Sequence, residues 1–270
     1  MSQRVEALLQ SEAQLRYLES LKDAAQVAVL SRKADGPIVI SADDLVALSP
    51  AMQAARPEDG QEVYIALKPV ADAARERVFQ YLLRQPHEEG STVVFTAGGP
   101  GSGKSTFGRG LSSAEFVYDS IFGNVSTAAG MIRAVLSTGR IVRVILIVRN
   151  PSEAMRGNLA RALTEKRVAS AVGMSEAHVA SRAAFQALRL EFAGSSTVLF
   201  FAVESTGRDF RTMRPKDVPK LEFDETLRRV EHTLHGIVEG TDPAWSYGKL
   251  PEYVAAAARG TQRESGSDRA

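Results

Sequence analysis

Thr92-Val93-Val94-Phe95-Thr96-Ala97-Gly98-Gly99-Pro100-Gly101-Ser102-Gly103-Lys104-Ser105-Thr106 decides the fold of this chain. The first five residues are all β-branched or aromatic and read as a buried strand. Gly98 to Ser105 fit G-x-x-x-x-G-K-[ST] in full, and a helix is expected from Gly103. A polyphosphate needs many donors converging in a small volume. Glycines let the backbone turn tightly and come close, so that successive N–H groups point inward. The helix start adds its partial positive charge. A chance glycine-rich turn would not need this strand before it and helix after it. The expected nucleotide contacts are Gly98, Gly99, Pro100, Gly101, Ser102, Gly103, Lys104, Ser105 and Thr106. Lys104 is expected to reach the β- and γ-phosphates of ATP, and the Ser105 hydroxyl to ligate Mg²⁺.

Downstream, Phe116-Val117-Tyr118 is a second, very short strand, and Asp119 follows it directly. A magnesium–nucleotide complex needs a carboxylate at the end of a neighbouring strand, which makes Asp119 the candidate; a turn or helix cap is the other role for such a residue. No Glu follows Asp119, which disfavours steady hydrolysis, and the chain has no Asn-Lys-x-Asp run of the GTPase-switch kind. Val125, Ala128, Ala129, Ile132, Val135 and Leu136 mark a helix closed by Gly139. Ile141 to Val148 is a strong strand. Asn150-Pro151-Ser152-Glu153 is a dense helix start. Helices are expected over much of 151–170 and 175–193, Thr197 to Val203 is the last clear strand, and Phe223, Leu227, Val230, Leu234 and Ile237 mark another helix. Strands alternating with helices over 91–203 predict an α/β, three-layer P-loop NTPase with a parallel sheet.

Arg149, Arg156, Arg161 and Arg167 lie between the third strand and the helix at 175. Phosphoryl transfer needs cations over the migrating group, and Arg suits its spread charge and forked oxygens. A mobile lid over 149–175 would supply them on closing. Solvated or ion-paired arginines are the alternative, because the chain is Arg-rich throughout. His178 reads as a capping or lid-packing residue. Glu204-Ser205 ends the last strand, where open α/β sheets bind ligands. Trp245 and Tyr247 read as packing residues.

Upstream, Val5, Leu8, Leu9, Leu15, Leu18, Leu21 and Ala25 recur at helical spacing and predict a helix over 3–30, broken by Ala34-Asp35-Gly36-Pro37. Ile38-Val39-Ile40 is a short extended piece. Ser41, with Asp44 three residues on, looks like a helix start. Arg56 to Gly60 reads as a loop, and Val70, Ala74, Val78, Tyr81 and Leu82 mark a second helix with Pro69 near its first turn. The expected division is an N-terminal helical region 1–88 packing on the core, a kinase-like domain 89–258, and a disordered tail 259–270.

Of the 270 residues, 44% are hydrophobic and 24% charged, ordinary for a folded protein with a sizeable core. A net charge of +1 gives no global electrostatic case for nucleic acid or an anionic membrane surface. The absence of cysteine excludes disulfides and thiolate chemistry and agrees with a reducing compartment. Met1 to Glu12 has no continuous apolar core and does not read as a secretory signal. The most apolar run, Val144 to Val148, is far too short to span a bilayer. The expected address is the cytoplasm.

The ordered set Thr96 to Thr106, Tyr118-Asp119-Ser120, Asn124, Gly139-Arg140-Ile141-Val142, Val148-Arg149-Asn150-Pro151, Arg161-Ala162 and Lys166-Arg167-Val168 resembles the zeta toxin family of P-loop kinases. The resemblance runs over 91–205, with a weaker likeness over 37–86. It implies a nucleoside-kinase-like fold, ATP and Mg²⁺ as cofactors, and a small-molecule phosphoryl acceptor, which in the best-known members is UDP-N-acetylglucosamine. It also implies a toxin–antitoxin setting with an antitoxin protein as partner. Carried over, Lys104 and Ser105 are nucleotide residues, Asp119 is the acidic residue at a strand end, and Arg161 and Arg167 are lid arginines. In one respect the chain departs from the family. Zeta toxins have an additional segment after the P-loop helix, holding the Asp that takes the acceptor's proton. Here only Phe107 to Glu115 separates that helix from the next strand. The base is then Asp119 itself, or one of Asp43, Asp44 and Glu115, or catalysis is impaired. Two functions follow: an ATP-dependent phosphotransferase, or a catalytically weak nucleotide-binding module that regulates a protein partner. An ATPase coupled to motion is a third.

Overall fold

In the computed structural model, residues 1–32, 36–120, 122–207 and 209–260 are described. The expected break at Ala34 and Asp35 and most of the expected tail therefore lie outside the described residues. The one helix expected over 3–30 is instead three: α1 (Gln3–Leu9), α2 (Glu12–Ser20) and α3 (Ala24–Leu30). Side-chain caps divide it. Ser11 Oγ accepts the Gln14 N–H, and Asp23 Oδ1 accepts the N–H groups of Ala25 and Gln26. The apolar spacing runs on across both breaks because the three pieces pack against a common core.

After β1 (Ile38–Ile40) come α4 (Ala42–Ala47), started by Ser41 as expected, and α5 (Pro50–Ala54), which the apolar spacing did not reveal. Next is α6 (Gly60–Leu83), which begins nine residues before Pro69 rather than near it. Val63 and Leu67 extend its buried face ahead of the proline. Pro69 itself is exposed, so the backbone bond it forgoes lies on the side where water can replace it.

The remaining elements are β2 (Thr92–Ala97), α7 (Lys104–Arg109), β3 (Phe116–Asp119), α8 (Val125–Leu136), β4 (Ile141–Val148), α9 (Pro151–Glu165), α10 (Ala171–Glu191), β5 (Val198–Ser205), β6 (Phe210–Met213), α11 (Phe223–Glu239) and α12 (Glu252–Arg259). Among the described residues, six strands form one sheet in the order β1-β3-β2-β4-β5-β6. The first five are parallel. β6, which the sequence did not signal, is antiparallel to β5. The N-terminal region thus contributes a strand as well as helices: Ile38, Val39 and Ile40 pair with Phe116, Val117 and Tyr118.

The two faces of the sheet are covered unequally. On one, Phe95, Phe116, Val144 and Leu146 pack with Phe79 of α6, Ile132 of α8 and Phe185 of α10. On the other, Val94, Val117, Ile145 and Ile147 pack with the smaller group of Phe107, Leu111, Ala114 and Phe210, and Leu199 and Phe201 of β5 stay exposed. A third cluster ties α9 to α11 and α12. Because the first five strands run in one direction, Ile40, Asp119, Ala97, Val148 and Ser205 all end at one edge, where open α/β sheets hold ligands.

Candidate functional site

Between β2 and α7 the chain makes the turn that its glycines permit. Gly101 has φ 70° and Gly103 has φ 98°, a region L side chains rarely occupy. A side chain at Gly101 would also stand 2.5 Å from the Ala154 carbonyl oxygen. Lys104 Nζ donates to the carbonyl oxygens of Gly98 (2.8 Å) and Gly99 (3.1 Å), which holds the ammonium at the mouth of the turn. Burial lowers its pKa, and the nearby carboxylates of Asp119 and Asp43 oppose that shift. The Ser102 hydroxyl is buried there without a hydrogen-bond partner.

Asp119, at the tip of β3, lies directly beside this turn. Its Oδ2 accepts from Ser105 Oγ and its Oδ1 from Thr96 Oγ1, each at 3.0 Å. Burial raises its pKa, while Lys104 and the two hydroxyls pull it back down. Ser105 and Asp119, paired in the sequence reading as magnesium residues, are therefore in contact. Among the described residues no group of three or more His, Asp and Glu could hold a metal by itself. One hydroxyl and one carboxylate in contact suit an ion that takes its other oxygens from phosphates and water.

The four arginines expected in a lid divide into two kinds. α9 opens at Asn150, whose Oδ1 accepts the Ser152 N–H, with Pro151 in first position. Arg161, three turns on, forks onto Glu165 through two 2.8 Å bonds. Lys166 then takes φ 59° and turns the chain, with its Nζ bound to the Ala55 and Gln53 carbonyl oxygens. That turn brings Arg167 to Asp43 Oδ2 (3.1 Å) and Glu165 Oε2 (3.0 Å), over the ring of Tyr64 at 5.0 Å. The charges of Arg161 and Arg167 act on Lys104, and that of Arg161 acts on Asp43 and Asp119. By contrast, Arg156 is ion-paired with Asp242 and holds α9 to the end of α11. Arg149 NH1 donates to the Gly101 carbonyl oxygen at 2.7 Å, bracing the turn from behind.

His178 lies inside α10 and is not a cap; Ser170 performs that role. Its ring packs beneath the turn, with Nε2 3.0 Å from the Pro100 carbonyl oxygen. That contact makes Nε2 the donor. Burial pushes the ring's pKa down to about 4. Arg182, which the sequence did not single out, donates to the Arg149 and Pro219 carbonyl oxygens and locks the same support. Ser205, at the end of β5, abuts Gly103. Trp245 and Tyr247 pack on each other, and Trp245 also packs on the α9–α11–α12 cluster. Glu115 proves to be at the opposite end of the sheet, bound to Arg140 by both oxygens. Of the carboxylates weighed as base, the charges of Asp43 and Asp119 both act on Lys104.

No helix among the described residues is long and apolar enough to cross a membrane. The comparison with curated proteins gives no match. The zeta toxin family model matches residues 112–211, which run from just after α7 into β6 and take in Asp119, Arg161 and Arg167. The family is kinase-like, and this supports a P-loop kinase-like, nucleotide-binding function of the kind that uses ATP and Mg²⁺. From β3 to β6 the chain is thus similar to the zeta toxin family, and a match of this partial span fits a divergent relative.

Proposed function

We propose that the protein is an ATP-dependent phosphotransferase that moves the γ-phosphoryl group to a small-molecule hydroxyl. One juxtaposition carries the reading. The glycine turn with Lys104, the Ser105–Asp119 pair and the Arg161–Arg167 pair meet at one edge of the sheet. The backbone amides of 98–105 and Lys104 bind the polyphosphate. Ser105 and Asp119 would hold Mg²⁺, which would supply positive charge against the phosphates. Arg161 and Arg167 neutralise the three equatorial oxygens of the migrating group. The acceptor oxygen forms a bond to the γ-phosphorus, the bond from phosphorus to the bridging oxygen breaks, and ADP leaves with that electron pair. The acceptor's proton passes to a carboxylate. Positioning and fixed charge supply most of the acceleration.

The family resemblance supports UDP-N-acetylglucosamine as acceptor, an antitoxin as protein partner, and the cytoplasm as location. The test is direct. Wild type and Lys104→Ala are incubated with γ-labelled ATP, Mg²⁺ and UDP-N-acetylglucosamine, and the label is followed. Label should appear on the sugar nucleotide with wild type, and Lys104→Ala should lower that rate at least about 100-fold. Tight ATP binding with no loss of the γ-phosphoryl group would instead favour the nucleotide-binding module.

A further inference from the structure

We infer that Asp43, delivered by the N-terminal β1–α4 segment, is the base that takes the proton from the acceptor hydroxyl; this rests on the phosphotransferase reading above. The segment between α7 and β3 is too short to bring a carboxylate of its own to the site, and the sheet shows what fills the place. β1 precedes the glycine turn in the chain but lies beside β3 and runs parallel to it. Ile40 pairs with Tyr118 on strands about 4.8 Å apart, so Ser41 leaves β1 at the edge where β3 ends in Asp119. Ser41 starts α4 by accepting the Asp44 N–H, and that first turn carries Asp43 over the strand edge.

The other candidates are occupied or misplaced. Glu115 is bound to Arg140 at the far end of the sheet. Asp44 lies on the side of Arg109, 3.8 Å from its guanidinium. Asp119 is buried, 8% exposed, with its two oxygens turned to the hydroxyls of Thr96 and Ser105 on the nucleotide side.

Asp43 is held as a working base must be. Tyr64 Oη donates to its Oδ1 at 2.8 Å and Arg167 NH1 meets its Oδ2 at 3.1 Å, yet 39% of the side chain remains exposed. An ionised carboxylate offers about four lone-pair sites, so two fixed partners leave room for a hydroxyl. Burial pushes its pKa up, but Arg167, the Tyr64 hydroxyl, Lys68 and Lys104 outweigh that and hold it below the usual carboxylate range. At neutral pH it is therefore unprotonated. Arg167 contacts the base and acts on Lys104 at once, and so couples the acceptor side to the phosphate side.

Four proteins decide it: wild type, Asp43→Asn, Asp43→Glu and Lys104→Ala. For each, loss of the γ-phosphoryl group from labelled ATP is measured to UDP-N-acetylglucosamine and to water alone, MgADP affinity by calorimetry, and unfolding by heat. Asp43→Asn should lower kcat by about 100-fold or more while KM for ATP, MgADP affinity and Tm stay at wild-type values. Asp43→Glu should recover part of kcat, and Lys104→Ala should lose nucleotide affinity as well. Asp43→Ala replaces Asp43→Asn if the latter fails to fold. An active wild type whose Asp43→Asn form keeps full kcat, or loses affinity and Tm along with rate, overturns this inference alone. A wild type that binds ATP yet transfers to neither acceptor removes the phosphotransferase reading, and this one with it.

Discussion

Arginine meets carboxylate at both ends of this sheet, and the two meetings are built differently. At the end where the strands begin, Arg140 is wholly buried. It donates to both Glu115 oxygens, to Thr138 Oγ1, and to the carbonyl oxygens of Leu82, Leu83 and Gln85. At the end where the strands finish, Arg161 and Arg167 share Glu165 and Asp43, and Arg161 is 45% exposed. A saturated guanidinium in the interior can only hold structure. One gripping a half-exposed carboxylate four residues away gains about 0.3–0.5 kcal/mol, little enough for a phosphate to displace it. The difference separates a buried fastener from an open, exchangeable ion-pair cluster made of the same two groups.

Unfolding measurements should break or sharpen that contrast. The largest loss is expected at the fastener. Arg140→Ala strands a carboxylate and three carbonyls, and should cost about 3–5 kcal/mol in urea unfolding. Next comes acid. His178 is neutral in the folded state with a pKa of about 4 and titrates near 6.5 when unfolded. The unfolded chain then binds the extra proton first, so stability falls as pH drops from about 6.5 to 4, by about 3 kcal/mol in all. His178→Asn should flatten that slope between pH 6.5 and 4 in urea titrations. The smallest change is expected at the open end. Arg161→Gln should leave the unfolding midpoint within about 0.5 kcal/mol of wild type while lowering the phosphoryl-transfer rate about 100-fold or more. If Arg161→Gln destabilises as much as Arg140→Ala, the two ends are not different in kind.

What could be read from the residues alone was whatever a few neighbours decide together. The strand at 92–97, the glycine turn and Asp119 are each specified within a handful of positions, and each stands where expected. Three features were not local. Ile38-Val39-Ile40 is too short to declare its partner, and its place beside β3 depends on a pairing across α6 and the glycine turn. Asp43 reaches this edge of the sheet only through that pairing, so nothing adjacent to it in the chain distinguished it from Asp44. β6 is four residues long, half-buried at its ends and exposed between them, so it shows little periodicity. The helix expected over 3–30 failed in the other direction. Its apolar spacing was real, but Ser11 and Asp23 interrupt the backbone without interrupting the stripe.

β1 covers the outer rim of β3, and that has a consequence for how the protein can be cut. Removing everything before residue 89 would keep the glycine turn, both lid arginines and Asp119, and on paper the kinase-like part would be whole. It would also uncover a row of unmatched amides and carbonyls along Phe116 to Tyr118, an invitation to pair with another molecule's strand. Such a shortened protein should come out of cells as aggregate even though every residue of its phosphate turn is present.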